Sequence, residues 1–277
     1  MIKSFAKQLI QELNLPESRY DSICKFLETV SYYKLLPYIE FIKNNQNIEN
    51  DFKLNIKGYK DLWDGVTELY RYNIKLSIAV YPYIYVLETA LKNKINNYLC
   101  EKLDKNWYTN QDLYNNASKN TREYLSDFNN KYLKEAKNPE NGDFLENYTM
   151  FGYWTATLKV PNLWDSKNIK LKQIFINGSI KDLISVPTRE VYDKLVSIND
   201  LRNNISHHNQ IILKEISSRT KHKYKLWDIY QNINWILEHL GCENIDWVIG
   251  DLSCNLNENC TKRTFETLYK EFEFIHK

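Results

Sequence analysis

Glycine and proline are scarce in this sequence. The 277 residues include seven glycines and six prolines, whereas all-β folds need many of both because their turns require special backbone angles. No segment sustains the alternation of polar and apolar residues that marks a strand. The composition therefore argues against sandwiches and barrels and favours an all-α fold built as a helical bundle.

The short motifs of several enzyme classes are also missing. The sequence contains no GxxxxGK[ST], HExxH or GxSxG pattern, which argues against P-loop NTPases, zinc proteases and α/β-hydrolases. The five cysteines are irregularly spaced, and Cys242, Cys254 and Cys260 match no usual pair of zinc-binding knuckles, even with His239 nearby. We therefore expect structural thiols, no bound metal and no cofactor.

Long apolar runs and a leader pattern are lacking as well. A helix that spans a bilayer needs roughly 20 apolar residues, and the longest run here, LSIAVYPYIYVL at 76–87, is interrupted by Pro82 and is typical of a buried helix. The N-terminus does not show the charged and then apolar pattern of a signal peptide. Together with the odd number of cysteines, these features predict a cytoplasmic protein that makes no membrane contact.

Charge of one sign is not in excess either. The 37 Lys and Arg residues against 35 Asp and Glu give a formal net charge of +2, which permits a local basic surface but not a basic coat for nucleic acid. Seven of the 37 basic residues are arginine. Each arginine is therefore a more informative choice than a lysine.

Apolar residues at spacings of three and four predict most of the helices. The clearest are at 2–13, at 59–103 with a bend at Pro82, at 118–136, and from Pro187 through Ile212. A polar run at 43–55 predicts an exposed loop. We accordingly predict an N-terminal helical region over 1–55, a helical core over 56–240 with a helical insertion or flap at 104–147, and a C-terminal helical tail over 241–277.

The stretch LRNNISHHNQ at 201–210 concentrates chemically useful side chains. At about 100° per residue, Arg202, Asn203, Ser206 and His207 share one polar arc of the predicted helix, nearly opposite its apolar stripe. That stripe contains Ile198, Leu201, Ile205 and Ile212. His208 falls at the edge of the stripe, so we expect it to pack or to serve as an accessory residue and not to act as a twin of His207.

An arginine and a histidine on one face suit phosphodiester chemistry. Arginine forks onto phosphate oxygens, and histidine can accept a proton from a 2′-hydroxyl or donate one to the leaving 5′-oxygen. Arg202 and His207 are therefore catalytic candidates, with Asn203 orienting the imidazole or binding a phosphate oxygen. Because one copy supplies few groups for two proton transfers, a second chain would complete the site. Ordinary surface or capping contacts near a helix C-terminus are the alternative.

Two further sets of residues bear on this site. Glu88, on the long predicted helix, is an accessory candidate that could orient His207 or balance Arg202. The run LKEISSRTKHKYK at 213–225 suits RNA phosphates, although a solvated polar loop would have the same composition. Its RNA-binding candidates are Lys214, Arg219, Lys221, Lys223 and Lys225.

Several motifs together resemble one protein family. LRNNISHH resembles the R-N-x-x-x-H form of the Rx4-6H motif of HEPN domains, and specifically the LRN…HH signature of the Abi-like (AbiD/AbiF) abortive-infection family. The stretches YYKLLPYIEFI, YIYVLETALKNKINNYL and MFGYWTATL are similar to further elements of that family in the same order, so the resemblance covers roughly residues 20–212. The chain departs from the family at Lys92, where the family prefers arginine.

The resemblance implies a HEPN-type helical bundle that forms a homodimer and brings the arginine and histidine of both protomers into one cleft. Many such proteins are metal-independent endoribonucleases that leave a 2′,3′-cyclic phosphate and a 5′-hydroxyl, and many act as toxins, in toxin–antitoxin pairs or as antiphage effectors. We accordingly expect an antiphage protein that cleaves RNA with Arg202 and His207. A non-cleaving protein held by a structured or antitoxin RNA, and a protein-binding helical scaffold, are the alternatives.

Overall fold

Helices account for nearly all of the regular structure in the described residues. A computed structural model of the chain describes residues 1–45, 59–133, 145, 149–175, 188–213, 215–217, 223–242 and 262–276. Within these ranges the helices are α1 (Ile2–Glu12), α2 (Tyr20–Leu27), α3 (Tyr32–Asn44), α4 (Leu62–Lys102), α5 (Lys119–Leu133), α6 (Phe151–Thr157), α7 (Pro161–Trp164), α8 (Thr188–Ser206), α9 (Leu226–His239) and α10 (Lys262–His276). The prediction of an all-α fold is confirmed.

Short turns and one small strand pair complete the regular structure of these ranges. Two strands of two residues each, β1 (Ile216–Ser217) and β2 (Lys223–Tyr224), pair antiparallel with Ile216 opposite Tyr224. Single turns of 3-10 helix occur at Glu17–Arg19, Trp107–Thr109, Gln111–Tyr114 and Leu171–Phe175.

Most of the predicted helices are present where the apolar spacing places them. Helix α1 matches the prediction at 2–13 and buries Ala6, Leu9 and Ile10. Helix α5 matches the prediction at 118–136 as far as Leu133, and residues 134–136 lie outside the described residues. The predicted loop at 43–55 begins later, because α3 continues to Asn44, and most of that loop lies outside the described residues. So does Pro187, the predicted first residue of α8.

The chain divides into two compact units. Unit 1 comprises Met1–Tyr81, Asn203–Glu215 and Asp251–Lys277, and unit 2 comprises Pro82–Arg202 and Ile216–Gly250. Helices α4 and α8 each pass from one unit to the other. The domain limits predicted from the sequence, at 55, 104, 147 and 240, stay predictions.

Unit 1 has an aliphatic core with an aromatic edge. Phe5 stacks on Tyr32 with ring centroids 4.3 Å apart, and Arg19 donates to the carboxylates of Asp61 and Asp64 at 2.6 and 2.7 Å. Its fully buried aliphatic side chains include Leu9, Ile23, Leu35, Val66, Leu76 and Val80. Because α3 and residues 62–81 of α4 contribute to this core, packing fixes their positions.

Unit 2 contains a buried polar cluster among its apolar side chains. The hydroxyl of Tyr114 donates to the Tyr108 carbonyl at 3.1 Å, and the amide of Asn129 donates to the same carbonyl at 2.8 Å. Burial raises the pKa of Tyr114 to about 12 and raises the pKa of Tyr153 as well. The Tyr114 hydroxyl and the Asn129 amide nitrogen are thus hydrogen-bonded although buried, which avoids the cost of an unpaired buried donor.

Helix α4 continues through Pro82 as one element of 41 residues. Proline has no N–H to donate to the carbonyl of Ile78, one turn earlier, but Ile78 lies on an exposed side of the helix, where water can satisfy that carbonyl. The opposite side is buried, as predicted for the apolar run at 76–87. The exposed side also carries Tyr81 and Tyr85, so the run is buried on one side and open on the other.

The same helix is long and apolar enough to cross a membrane, judged by length and composition. Pro82 does not end the helix, and the bend expected at Pro82 stays a prediction. Among the described residues one helix passes this test, and the core helices of soluble proteins pass it too. It is therefore weak support for a membrane span.

Candidate functional site

Helix α8 ends earlier than the apolar pattern predicts. It covers Thr188–Ser206 and does not extend through Ile212. The N–H of Asn209 donates to the carbonyl of Asn204 at 2.8 Å, a bond that reaches back five residues and caps the helix. The chain therefore turns away from the helix axis directly after residue 207.

His208 occupies the left-handed position of this turn. Its φ is 54°, and its N–H donates to the Ile205 carbonyl at 2.9 Å, the second hydrogen bond of this type of cap. The His208 side chain is exposed. The prediction that it packs beside the apolar stripe is wrong, because the helix has already ended and helical spacing no longer sets its direction. Its accessory role stays a prediction.

His207 combines an exposed side chain with a backbone held from both sides. In unit 1, its N–H donates to the Asn203 carbonyl at 3.0 Å. The ammonium group of Lys34 on α3 donates to the His207 carbonyl at 2.7 Å and to Oδ1 of Asn209 at 2.8 Å. A cation at the C-terminal end of a helix also interacts favourably with the helix dipole. One lysine thus binds the turn on both sides of residue 208.

Asn73 of α4 holds the next part of the same turn. Its side chain is 5% exposed, its Nδ2 donates to the Asn209 carbonyl at 3.2 Å, and its Oδ1 accepts from the Ile211 N–H at 2.7 Å. A carboxamide can donate and accept at once, and each backbone group left unpaired when buried would cost about 1–3 kcal/mol. Lys34 and Asn73 together are called the turn clamp below.

Arg202 lies in unit 2 beside Glu88 of α4. Its Nε is 4.0 Å from Oε2 of Glu88, and the two side chains are 27% and 24% exposed. Both charged groups are therefore half-buried, and the carboxylate limits where the guanidinium can point. An approach of this kind is what the role of balancing Arg202 requires, and the accessory role of Glu88 stays a prediction. Asn203, the next residue, belongs to unit 1 and is half-buried.

The predicted RNA-binding residues fall partly outside the described residues. Lys214, Arg219 and Lys221 lie outside them. Lys223 is on β2 and Lys225 directly precedes α9; both belong to unit 2 and have exposed side chains. Exposed ammonium groups are available to phosphates, and the binding of RNA by these residues stays a prediction.

No group of three or more His, Cys, Asp or Glu side chains that could hold a metal ion occurs among the described residues. His239 packs inside unit 2, where its ring stacks on Trp235 at 3.7 Å and its Nδ1 lies 2.7 Å from the Trp235 carbonyl oxygen. Burial raises the pKa of the Cys242 thiol, which disfavours the thiolate that binds metals. Cys242 thus fits a structural thiol, whereas Cys254 and Cys260 lie outside the described residues.

Sequence reasoning missed both residues of the turn clamp. Asn73 stands on the buried stripe of α4 between Leu69 and Leu76, and a polar residue at such a position signals a hydrogen-bonding role. For Lys34 no local pattern gives that signal, because its partner His207 is 173 residues away. The sequence feature that draws attention to Lys34 is its place in the stretch YYKLLPYIEFI.

Each unit offers its own chemical groups. In unit 1, an exposed imidazole on a fixed backbone can accept or donate a proton. In unit 2, the guanidinium of Arg202, half-exposed beside a carboxylate, can donate to phosphate oxygens. These are the groups that the stretch LRNNISHHNQ was predicted to supply.

Comparison with known proteins identifies a family. No curated protein and no solved structure matches the chain. A family model described as Abi-like protein matches residues 25–213, a range that includes α3, α4 and the stretch LRNNISHHNQ. This family is associated with abortive infection, a form of phage defence. Because the match covers more than half of the residues, the chain belongs to the Abi-like family.

Proposed function

We propose that this chain is an antiphage, abortive-infection protein of the HEPN type that acts on RNA as a metal-independent endoribonuclease. The observation that carries the proposal is His207, an exposed histidine on a fixed turn, five residues after Arg202. The spacing of these two residues resembles the HEPN motif, and both lie in the range matched by the Abi-like family.

The proposed reaction is a transesterification within one RNA strand. His207 accepts the proton of the 2′-hydroxyl while the 2′-oxygen bonds to phosphorus. The bond from phosphorus to the 5′-oxygen breaks, and that oxygen takes a proton from the protonated imidazole of His207 of the partner subunit, so the products are a 2′,3′-cyclic phosphate and a 5′-hydroxyl. Arg202 stabilises the charge on the phosphate oxygens, and Asn203 orients the imidazole or a phosphate oxygen. Glu88 restricts the position of Arg202.

A homodimer is part of this proposal, because the reaction needs both a base and an acid and each chain offers one histidine proposed as catalytic, His207. Helix α4 supports it with an exposed apolar stripe of Ile74, Ile78, Tyr81 and Tyr85, each 40% to 65% exposed. Their spacing of four, three and four residues places them on one side of the helix, and exposed apolar patches mark contacts between proteins. The stripe ends one turn before Glu88.

The rest of the proposal concerns partners and location. We propose that the protein is toxin-like and works in the cytoplasm without a membrane contact. We further propose that the basic residues at 214–225 bind RNA phosphates, where Lys223 and Lys225 are exposed. In the alternative proposal, the same residues hold a structured or antitoxin RNA that the protein does not cleave.

The test compares cleavage by the wild-type protein with cleavage by Arg202→Ala and His207→Ala. Purified protein is incubated with total cellular RNA in EDTA, and new 2′,3′-cyclic phosphate ends are counted by selective ligation and sequencing. We expect each variant to lose at least about 100-fold in rate, the usual contribution of a general acid or base. Arg189→Ala is the matched control, because Arg189 lies on the same helix and is 84% exposed.

Two outcomes would contradict the proposed endoribonuclease activity. If wild-type protein binds RNA but leaves no cyclic-phosphate ends above the level of the two variants, the non-cleaving alternative replaces it. If the protein also fails to bind RNA, the result supports the alternative of a protein-binding helical scaffold.

A further inference from the structure

We propose that Lys34 is a positioning residue for His207. It acts by holding the backbone that carries the imidazole, and it does not contact the RNA. This inference rests on the proposed function, because the position of the imidazole affects cleavage only if His207 takes part in the reaction.

The hydrogen bonds of the turn clamp bracket the histidines. Lys34 binds the carbonyl of His207 on one side and Oδ1 of Asn209 on the other. Asn73 binds the carbonyl of Asn209 and the N–H of Ile211. The backbone is thus fixed before and after the left-handed residue 208, and the direction in which the His207 side chain leaves the chain is fixed with it.

An exposed imidazole needs such a hold more than a buried one does. A buried histidine is oriented by the side chains packed around it, whereas the side chain of His207 is exposed to solvent. General acid–base transfer requires the ring nitrogen to lie within about 3 Å of the proton that moves. A backbone fixed at the preceding helix end and at two points of the turn meets this need.

The geometry also argues against Lys34 as a phosphate ligand. An ammonium group has three N–H donors, and those of Lys34 serve two acceptors in the turn at 2.7 and 2.8 Å. The side chain is half-buried.

Lys34→Met and Lys34→Arg test the proposal. Methionine keeps most of the length of the side chain but cannot donate, whereas arginine keeps the positive charge and N–H donors. Lys43→Met is the matched control, because Lys43 is on the same helix and pairs with Glu12 at 3.4 Å. Three quantities are measured: the single-turnover cleavage rate at saturating protein, the Kd for RNA in the His207→Ala background, and the amide hydrogen exchange of residues 207–211.

We expect Lys34→Met to lower the cleavage rate about 10- to 100-fold, the effect of a misplaced catalytic group, with little change in the Kd for RNA. Amide exchange at 207–211 should become faster in Lys34→Met. Lys34→Arg should restore most of the rate and the slow exchange, and Lys43→Met should resemble wild type in all three measurements.

The proposal is overturned if Lys34→Met weakens RNA binding and leaves the rate unchanged, because Lys34 would then contact RNA. It is also overturned if neither the rate nor the exchange changes. If wild-type protein cleaves no RNA, the proposed function has failed, and amide exchange alone decides whether Lys34 fixes the turn. Faster exchange at residues 207–211 in Lys34→Met would support this structural role of Lys34. Unchanged exchange would exclude it.

Discussion

A histidine with a positive φ carries a conformational cost. In the left-handed region the β-carbon approaches the carbonyl oxygen that follows it, at a cost of roughly 1–2 kcal/mol for most residues. His208 accepts this conformation with φ at 54° because the two capping hydrogen bonds of α8 require it. Glycine would satisfy the same cap without the steric cost.

We therefore expect His208→Gly to stabilise the protein by about 0.5–1 kcal/mol, since relief of the strain exceeds the extra entropy of an unfolded glycine. The free energy of unfolding in urea measures the change. Asn14→Gly provides the comparison: its φ is 49°, and asparagine tolerates this region better than histidine does, so its gain should be smaller. A loss of stability in His208→Gly would mean that the imidazole makes a stabilising contact.

At the scale of residues, the sequence predicted the candidate groups better than their supports. Arg202 and His207 stand out because arginine and histidine are scarce and share one polar arc. Glu88 was named from the sequence as one of the residues that could balance Arg202, but the hydrogen bonds of Lys34 and Asn73 to the turn depend on contacts between distant parts of the chain. Side-chain periodicity carries no information about such contacts.

Helix α4 is the element with the most unusual surface. One side is buried from Leu69 to Leu99, as its apolar spacing predicts, and the other side exposes large apolar residues around Pro82. Burial of such a stripe by a second copy of the chain would remove apolar area from water at about 25 cal/mol per Å². The dimer proposal can therefore be tested on this helix.

We expect the double variant Ile78→Glu, Tyr85→Glu to shift the protein from dimer to monomer, because two carboxylates per chain would be desolvated at the contact. Mass is measured by light scattering over a range of concentrations, with circular dichroism as a check of folding. Asn97→Glu is the control, because Asn97 is exposed and lies more than a quarter turn from the stripe.

Two results would argue against this face. If the wild-type protein is monomeric at every concentration, an active site shared between two chains is excluded. If the double variant stays dimeric, the two chains contact each other through another surface.

The ends of the helices show where apolar spacing no longer predicts the structure. Helices α1 and α5 follow their apolar spacing closely, because packing of one face determines both. The end of α8 does not, since Ile205 and Ile212 continue the spacing across the turn at residues 207–209. Neither glycine nor proline follows α8, and the local signal that remains, histidine and asparagine at 207–209, is weaker than the apolar spacing that continues across it. The capping bonds and the turn clamp hold the chain at this end.

Across the whole molecule, buried tyrosines link stability to alkaline pH. Burial raises the pKa of Tyr38 and Tyr153 above the ordinary value and that of Tyr114 to about 12. A raised pKa means that the folded state keeps the phenol proton while the unfolded chain releases it from about pH 10 upward. The stability contributed by each such tyrosine is complete below pH 10 and is lost as the pH rises through the folded-state pKa.

We expect Tyr114→Phe to make the loss of stability between about pH 10 and 12 shallower by roughly 1.4 kcal/mol per pH unit. At pH 7 the variant should lose about 1 kcal/mol, because the hydrogen bond to the Tyr108 carbonyl is gone. Urea unfolding at a series of pH values measures both. Tyr33→Phe, at a side chain 67% exposed, should keep the wild-type slope; an unchanged slope in Tyr114→Phe would exclude Tyr114 as a source of the pH dependence.

The hydrogen bond from Lys34 to the His207 carbonyl joins residues 173 positions apart. Closing so long a loop costs entropy, and the packing of α3 and α4 can offset that cost, so we expect the turn to become ordered after α3 and α4 have packed. During translation, the residues of the turn leave the ribosome long after those helices. A chain released early by a stalled ribosome would carry Lys34 and Asn73 but no histidine for them to hold. An RNA-damaging activity that depends on His207 would therefore be absent from every chain released before that residue.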